Sequence, residues 1–224
     1  MNRIVIIGSA NIDITHRGER FPSRGETLFS DYSYISLGGK GLNQAVATSR
    51  LSKKKNVKFI GVVGNDAFGE KINNDLLKEN IDISDLKITN DDITGNAIIY
   101  IGSGNNNQIS VYPGANSKNG DSEVKIFSEM ADTISVVMLQ QEIPIETNYK
   151  ILEIARSKNI ITILDPGPPS KDINNFDNYL NLVDFLTPNK HEAEFILGEK
   201  IEGNELEAAI KIKNMGPKNV IITL

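Results

Sequence analysis

The chain has 224 residues, with no cysteine and only two histidines, His16 and His191. The lack of cysteine excludes disulfide bonds, thiolate metal sites and a cysteine nucleophile. Nothing around either histidine marks it as a base or a metal ligand, so a solvated loop or helix position is the simpler interpretation. The chemistry of this protein therefore rests on carboxylates, amides, hydroxyls, lysines and backbone groups.

Long apolar runs and an excess of positive charge are also missing. No apolar stretch approaches the roughly 20 residues of a membrane span, and the N-terminus turns polar by Ser9, too early for a signal peptide. A net charge of −5 argues against a nucleic-acid partner. No dinucleotide-binding glycine pattern or Walker-type loop occurs, which disfavours Rossmann dehydrogenases and P-loop kinases. We expect a cytoplasmic protein that acts on a small molecule.

A glycine-rich segment, Gly38-Gly39-Lys40-Gly41, leads directly into a run of helix-forming residues. Such glycines let the backbone turn sharply and approach a ligand closely. The helix N-terminus that follows presents unpaired N–H groups, which suit an anion or hydroxyl oxygens. Lys40 and Asn43 are three residues apart and share a face of the first turn, so one ligand can contact both. The alternative is a plain glycine turn before a core helix.

Strand and helix patterns alternate along most of the chain. This alternation predicts an α/β fold, with a mostly parallel sheet covered by helices on both faces. The length fits a single domain, 1–224. Helices are predicted at 42–52, 67–79, 121–130, 146–158, 171–181, 189–197 and 204–214, and strands at 3–7, 57–63, 134–139, 160–165, 183–187 and 219–223.

Two segments interrupt this alternation, at about 13–37 and 94–112. Both consist of short apolar and aromatic pieces separated by glycine, proline and asparagine, which is typical of small strands and turns. The second contains the turn-rich segment Gly102 to Asn107, a hairpin loop by composition. We expect the two segments to pair as a small β lid.

Polar side chains follow the predicted strands, where ligands of α/β sheets bind. Asn11 and Asp13 follow the first strand and suit adjacent hydroxyls of a polyol, although an Asx turn is an equally good interpretation. Glu142 and Asp165 follow the strands at 134–139 and 160–165, where turn or helix-cap roles are the alternative.

Asn189 and Glu192 stand at i and i+3 where a helix is predicted to begin. This spacing is that of a capping box, in which the two side chains satisfy the first backbone N–H groups. The functional interpretation is that the pair orders water and Mg²⁺ around phosphates, because hard cations prefer oxygen ligands.

Together these residues resemble the ribokinase family of sugar kinases, and the match runs in order along the whole chain. Within that family, Gly-Gly-Lys-Gly followed by Asn-Gln is most similar to the ribokinase branch, ahead of adenosine, fructose or pseudouridine kinases. The positions that carry the resemblance are Gly8, Ser9, Asn11, Asp13, Gly38, Gly39, Lys40, Gly41, Asn43, Gln44, Thr94, Gly95, Gly114, Ala115, Asn116, Gln141, Glu142, Asn189 and Glu192.

The resemblance implies a ribokinase-like fold and an ATP-dependent phosphorylation of a sugar, D-ribose to D-ribose 5-phosphate. It implies Mg²⁺ with the ATP, K⁺ for the complete family member, and a homodimer made through the lid. Asn189 and the last-strand residue Thr223 would bind ATP, and Glu192 would hold Mg²⁺ through water. The implied sugar-binding residues are Asn11, Asp13, Gly39, Lys40, Gly41, Asn43 and Glu142.

One departure from the family pattern concerns catalysis. The family continues beyond the position that matches Leu224 with a glycine-rich loop and an aspartate, which supply backbone N–H donors and the catalytic base. The resemblance therefore implies the N-terminal two-thirds of a kinase, with no catalytic base in these 224 residues. The alternatives are an inactive sugar-binding fragment and a related kinase for fructose, adenosine or another nucleoside.

Overall fold

The computed structural model describes residues 3–52, 56–169 and 179–224. Most of the helix predicted at 171–181 lies outside the described residues. The strands are β1 (Arg3–Ile7), β2 (Asn11–Arg17), β3 (Tyr32–Gly38), β4 (Val57–Gly64), β5 (Leu86–Thr89), β6 (Gly95–Ile101), β7 (Asn107–Tyr112), β8 (Ile134–Gln140), β9 (Ile161–Asp165), β10 (Phe185–Leu186) and β11 (Asn219–Val220). The helices are α1 (Lys40–Leu51), α2 (Ala67–Lys78), α3 (Asp121–Met130), α4 (Ile145–Ser157), α5 (Lys190–Leu197) and α6 (Glu205–Asn214).

Seven strands form one sheet in the order β11-β10-β9-β8-β1-β4-β5, and each neighbouring pair is parallel. Alternate residues of β1 enter two different apolar cores. Val5 and Ile7 pack in the core that contains Phe127 of α3, whereas Ile6 packs in the core that contains Leu42 of α1. Because successive strand residues point to opposite faces, helices cover both sides of the sheet. The predicted α/β fold is confirmed.

The predicted elements match the observed ones closely. The three differences concern strands at or next to the two edges of the seven-stranded sheet. Strand β5 was not predicted, because four residues give too short an alternation to recognise. Strands β10 and β11 are each two residues long, shorter than predicted. Pro188 has no N–H to donate, which interrupts the ladder beyond β10, although Thr223 N still donates to Pro188 O at 2.9 Å.

Four strands form the second sheet in the order β3-β2-β6-β7, and we call it the lid sheet. Strand β2 is central, antiparallel to β3 and parallel to β6. Asn11 and Asp13, for which an Asx turn was the alternative interpretation, lie on β2. The alternation with Ile12 and Ile14 explains this, because Ile12 is buried and the polar residues take the other face.

The small β lid predicted from the two interrupting segments is therefore present as paired strands. That the whole of 1–224 forms a single domain stays a prediction. Within the part of the chain that the structure describes, no helix is long and apolar enough to cross a bilayer.

Candidate functional site

Helix α1 begins at Lys40, directly after Gly39, which has a φ of 86°. That backbone conformation is strained for any residue with a side chain. A Cβ on Gly41 would lie 2.7 Å from the backbone nitrogen of Ser9, so this position also excludes a side chain. The two glycines therefore let the start of α1 sit against the loop after β1.

The N-terminus of α1 already holds an anion, and that anion belongs to the chain itself. Oε2 of Glu142 accepts hydrogen bonds from the Lys40 backbone N–H at 2.8 Å and from the Ser9 hydroxyl at 2.5 Å. Gly39 provides no side-chain cap, so the Glu142 carboxylate takes that role at the positive end of the helix. The positive end of α1, which was predicted to attract an anion, thus holds the Glu142 carboxylate at the carboxyl edge of the sheet.

Asp13 lies next to this carboxylate, on the face of the lid sheet that looks toward the glycine segment. A Cβ on Gly38 would lie 2.0 Å from Oδ1 of Asp13, so the carboxylate occupies the space that a larger residue would fill. Burial, and then the negative charge of Glu142, raise the pKa of Asp13 above its ordinary value. In the described residues no group donates a hydrogen bond to this carboxylate, so its oxygens can accept from a ligand.

Asn11 is held in one orientation by Asn116, and both residues are buried. Oδ1 of Asn11 accepts from Nδ2 of Asn116 at 2.6 Å, and Oδ1 of Asn116 accepts from the Ala10 backbone N–H at 2.8 Å. A Cβ on Gly95 would lie 2.2 Å from Nδ2 of Asn116, so the glycine makes room for this pair. With its oxygen engaged, Asn11 offers N–H donors to a ligand.

The Lys40 ammonium group binds two carboxylates other than that of Glu142. Nζ of Lys40 donates to Oδ1 and Oδ2 of Asp165 at 2.8 and 3.0 Å and to Oε1 of Glu192 at 3.0 Å. Burial lowers the pKa of Lys40, but the hydrogen bonds and charges of Asp165 and Glu192 outweigh it, so the net pKa is raised. The ammonium group is therefore a charged link between strand β9 and helix α5.

A cavity of about 490 Å³ opens between the lid sheet and the loops that follow β7, β8 and β9. Asn11 and Glu142 line it, as does Gln141, whose Nε2 is buried without a partner among the described residues. The apolar part of its lining consists of Val111, Pro113, Ile143, Pro144 and Pro168.

Asn189 and Glu192 form the predicted capping box at the start of α5. Oδ1 of Asn189 accepts from the Glu192 backbone N–H at 2.8 Å, and Oε2 of Glu192 accepts from the Asn189 backbone N–H at 2.9 Å. Asn189 also pairs with Thr223 in an isolated parallel bridge. The two residues predicted to bind ATP are thus brought together beside Glu192.

The same contacts bear on whether Glu192 can hold a magnesium ion. Both oxygens of Glu192 already accept hydrogen bonds, one from Lys40 and one from the Asn189 backbone. Among the residues with described structure, no group of three or more acids, histidines or cysteines is arranged to hold a metal ion. In this arrangement the described residues alone do not form a site for Mg²⁺.

Most of the residues predicted to bind sugar converge in this arrangement. Asn11, Asp13, Lys40 and Glu142 approach the edge where α1 begins, with Gly39 and Gly41 between them. Asn43 is exposed in the first turn of α1, three residues after Lys40, and its side chain makes no hydrogen bond among the described residues.

Ser9 and Asn116 carry the family resemblance but were given no specific role from the sequence, and Asp165 was placed at the ligand edge of the sheet without a partner; all three organise the site. Ser9 and Glu142 are 133 positions apart in the chain, and Asn116 and Asn11 are 105 apart. The glycines beside them, Gly41 and Gly95, are the one sequence signal for these close approaches.

The sequence profile described as pfkB family carbohydrate kinase matches residues 1–224. The chain is 34% identical to a ribokinase of Schizosaccharomyces pombe over 233 aligned positions, which cover 100% of this chain and 72% of that protein.

Two solved structures are similar along nearly the whole chain. The ribokinase from Giardia lamblia has a TM-score of 0.89 at 28% identity, with 100% of this chain and 69% of that one covered. The Arabidopsis thaliana ribokinase complexed with ribose and ATP has a TM-score of 0.83 at 29% identity, with 99% and 72% covered. The chain therefore spans about seven-tenths of the length of these relatives.

Proposed function

The chain belongs to the pfkB family of carbohydrate kinases, and on that premise we propose that it forms the sugar-binding part of an ATP-dependent ribokinase. The reaction is the conversion of D-ribose to D-ribose 5-phosphate. The observation that carries the proposal is the convergence of the free Asp13 carboxylate, the fixed Asn11 amide and the Glu142 carboxylate at one edge of the sheet. A solved relative described as complexed with ribose and ATP supports the choice of ligands.

Each polar group has a distinct part in holding a sugar. Asp13 accepts hydrogen bonds from two neighbouring hydroxyls, which suits a carboxylate with no donor among the described residues. Asn11 donates through Nδ2, because Asn116 engages its oxygen. Gly39 and Gly41 let the backbone approach the sugar, and Lys40 and Asn43 contact it from the first turn of α1. The second oxygen of Glu142 accepts from a further hydroxyl.

The nucleotide lies along the carboxyl ends of β10 and β11 in this proposal, against Asn189 and Thr223. Phosphoryl transfer forms a bond between the sugar oxygen and the γ-phosphorus and breaks the bond to the bridging oxygen of ADP. The hydroxyl proton passes to the base that the resemblance places beyond Leu224. The described residues contribute by positioning the sugar, which accounts for much of the catalysis in such transfers. Mg²⁺ and K⁺ stay predictions that rest on the resemblance alone.

A second candidate substrate is a nucleoside such as adenosine. The apolar lining of the cavity, with Val111 on the lid sheet and Ile143 and Pro168 opposite, favours a ligand that has a flat or apolar part as well as hydroxyls.

Titration calorimetry with pentoses, hexoses and nucleosides tests the proposal and separates the two candidates. We expect the 224-residue chain to bind D-ribose with a dissociation constant on the order of 1 mM or lower, about −4 kcal/mol. Tighter binding of adenosine than of ribose would establish the nucleoside alternative. No binding by any of these compounds would remove the proposed function.

The lid sheet also exposes an apolar surface that fits a second copy of the chain. Tyr32, Tyr34, Ile109 and Val111 are exposed on the face that carries Asp13, whereas Ile35 lies on the opposite face. Sheets of few strands with one apolar face need a partner for stability. We propose that two copies pair through these faces to form a homodimer.

Sedimentation velocity tests this pairing with two matched variants. Ile109→Glu places a charge on the lid face and should convert the dimer to a monomer. Ile210→Glu on α6 is the control, because Ile210 is 52% exposed and Ile109 is 55% exposed. A wild-type chain that stays monomeric at high concentration would contradict the proposed dimer, and so would a dimer that survives Ile109→Glu.

A further inference from the structure

Asp165 is anchored where strand β9 ends, in register with Gln140 at the end of β8. Its Oδ1 accepts from the Gly167 backbone N–H at 2.9 Å, which fixes the carboxylate against its own loop. Both of its oxygens also accept from the Lys40 ammonium group. Asp165 therefore has one contact that sets its own orientation and two that act on Lys40.

The other carboxylate that binds Lys40 is equally well fixed. Glu192 is buried and belongs to the capping box of α5, so its Oε1 has little freedom to follow the lysine. A Cβ on Gly167 would lie 1.8 Å from this oxygen and 2.5 Å from Nζ of Lys40, so the loop after β9 passes directly beside the ion pair. Two carboxylates on separate elements thus hold one ammonium group.

A lysine side chain that lacks such partners samples many rotamers, and fixing it costs conformational entropy. Here the backbone N–H of Lys40 is bound by Glu142, while its ammonium group is bound by Asp165 and Glu192. One residue is therefore fixed at both ends before any ligand arrives. This arrangement connects the glycine segment with the helix that carries Asn189.

We infer that Asp165 is a positioning residue: it holds the Lys40 ammonium group in place for the sugar and sets sugar affinity through Lys40 alone. The inference rests on the proposed function, because it takes Lys40 as a sugar contact. It also gives Glu192 a role at the sugar side of the site, where it shares the ammonium group with Asp165.

Calorimetry of ribose binding to Asp165→Asn tests the inference. Asparagine keeps an oxygen that accepts from the Gly167 N–H, so the loop retains its anchor, but it removes the charge that attracts Lys40. We expect ribose affinity to fall about tenfold, within the range of a partly buried ion pair. Asp165→Glu, which keeps the charge, should restore part of the loss. The control is Asp132→Asn, which breaks an exposed 2.8 Å ion pair with Lys158 and should leave affinity unchanged.

A double-mutant cycle separates positioning from a direct contact. If Asp165 acts only through Lys40, then Asp165→Asn should cause no further loss of ribose affinity in a Lys40→Met background. Additive losses would overturn the inference, and so would wild-type affinity in Asp165→Asn; either result would leave the proposed function standing. If the wild-type chain binds no sugar, the proposed function fails and this inference fails with it.

Discussion

Asp13→Ala should abolish ribose binding by this chain. The carboxylate of Asp13 has no donor among the described residues and lies against Gly38, where it can accept from two sugar hydroxyls. A methyl group accepts none, and each charge-assisted hydrogen bond contributes about 1.5–3 kcal/mol. The expected loss of affinity is therefore about 10²- to 10⁴-fold, which calorimetry would record as no detectable heat.

The matched variant Asp13→Asn distinguishes the loss of a sugar contact from a loss of folding stability. Because the pKa of Asp13 is raised in the folded chain, ionising this group opposes folding, so its destabilising effect is present at neutral pH. It disappears as the pH falls below the ordinary value of 3.8, where the carboxyl group is protonated in both states. Asp13→Asn should therefore unfold at a higher temperature than wild type at pH 7 and show no such gain in acid.

Two results would contradict these expectations. Equal ribose affinity in wild type and Asp13→Ala would remove Asp13 from the sugar site. A lower melting temperature for Asp13→Asn at pH 7 would show that the carboxylate has a stabilising partner, and the binding loss could then reflect structural damage.

The second large effect is on catalysis: the 224-residue chain should show no measurable phosphoryl transfer. The resemblance places the catalytic base and a set of backbone donors beyond Leu224. Loss of a general base costs about 10²–10⁴ in rate, and loss of positioned donors to the developing charge costs about 10²–10³ more. The measurement is a coupled ADP assay with ribose, ATP, Mg²⁺ and K⁺.

Appending the C-terminal third of a close relative provides the matched comparison. In the 224-residue chain Ile221 and Leu224 are exposed after β11, Leu224 by 94%, and Leu206 is exposed on α6. Such apolar surface at a sheet edge favours aggregation. We expect the extended chain to be more soluble and to form ADP only when ribose is present.

Turnover by the 224-residue chain near 1 per second, within the usual kinase range, would contradict this prediction. It would mean that a residue within these 224 acts as the base, and Asp165, at the carboxyl end of β9, is the candidate that we would test first. Asp165→Asn would then abolish turnover instead of weakening sugar binding, so the same variant tests both assignments.

Local pattern was sufficient to predict most of the secondary structure of this chain. The β-branched run at Arg3–Ile7 forms the predicted strand, and the helix at Asp121–Met130 has the predicted bounds. The capping box of Asn189 and Glu192 was also recognisable, because its hydrogen bonds join residues only three apart. These features depend on backbone preference and apolar periodicity, which neighbouring residues determine among themselves.

Which polar groups meet at the site was decided only by the tertiary structure. The sequence left Asp13 open between a ligand contact and an Asx turn, and pairing with β3 and β6 places it on a strand. The Lys40 ammonium group binds Asp165, 125 positions away, and Glu192, 152 positions away. No local pattern encodes such pairs, because the order of strands in the sheet determines which loops come together at its carboxyl edge. The sequence by itself determined the secondary-structure elements and the chemical groups available. The sheet topology determined which of those groups come within hydrogen-bonding distance of one another.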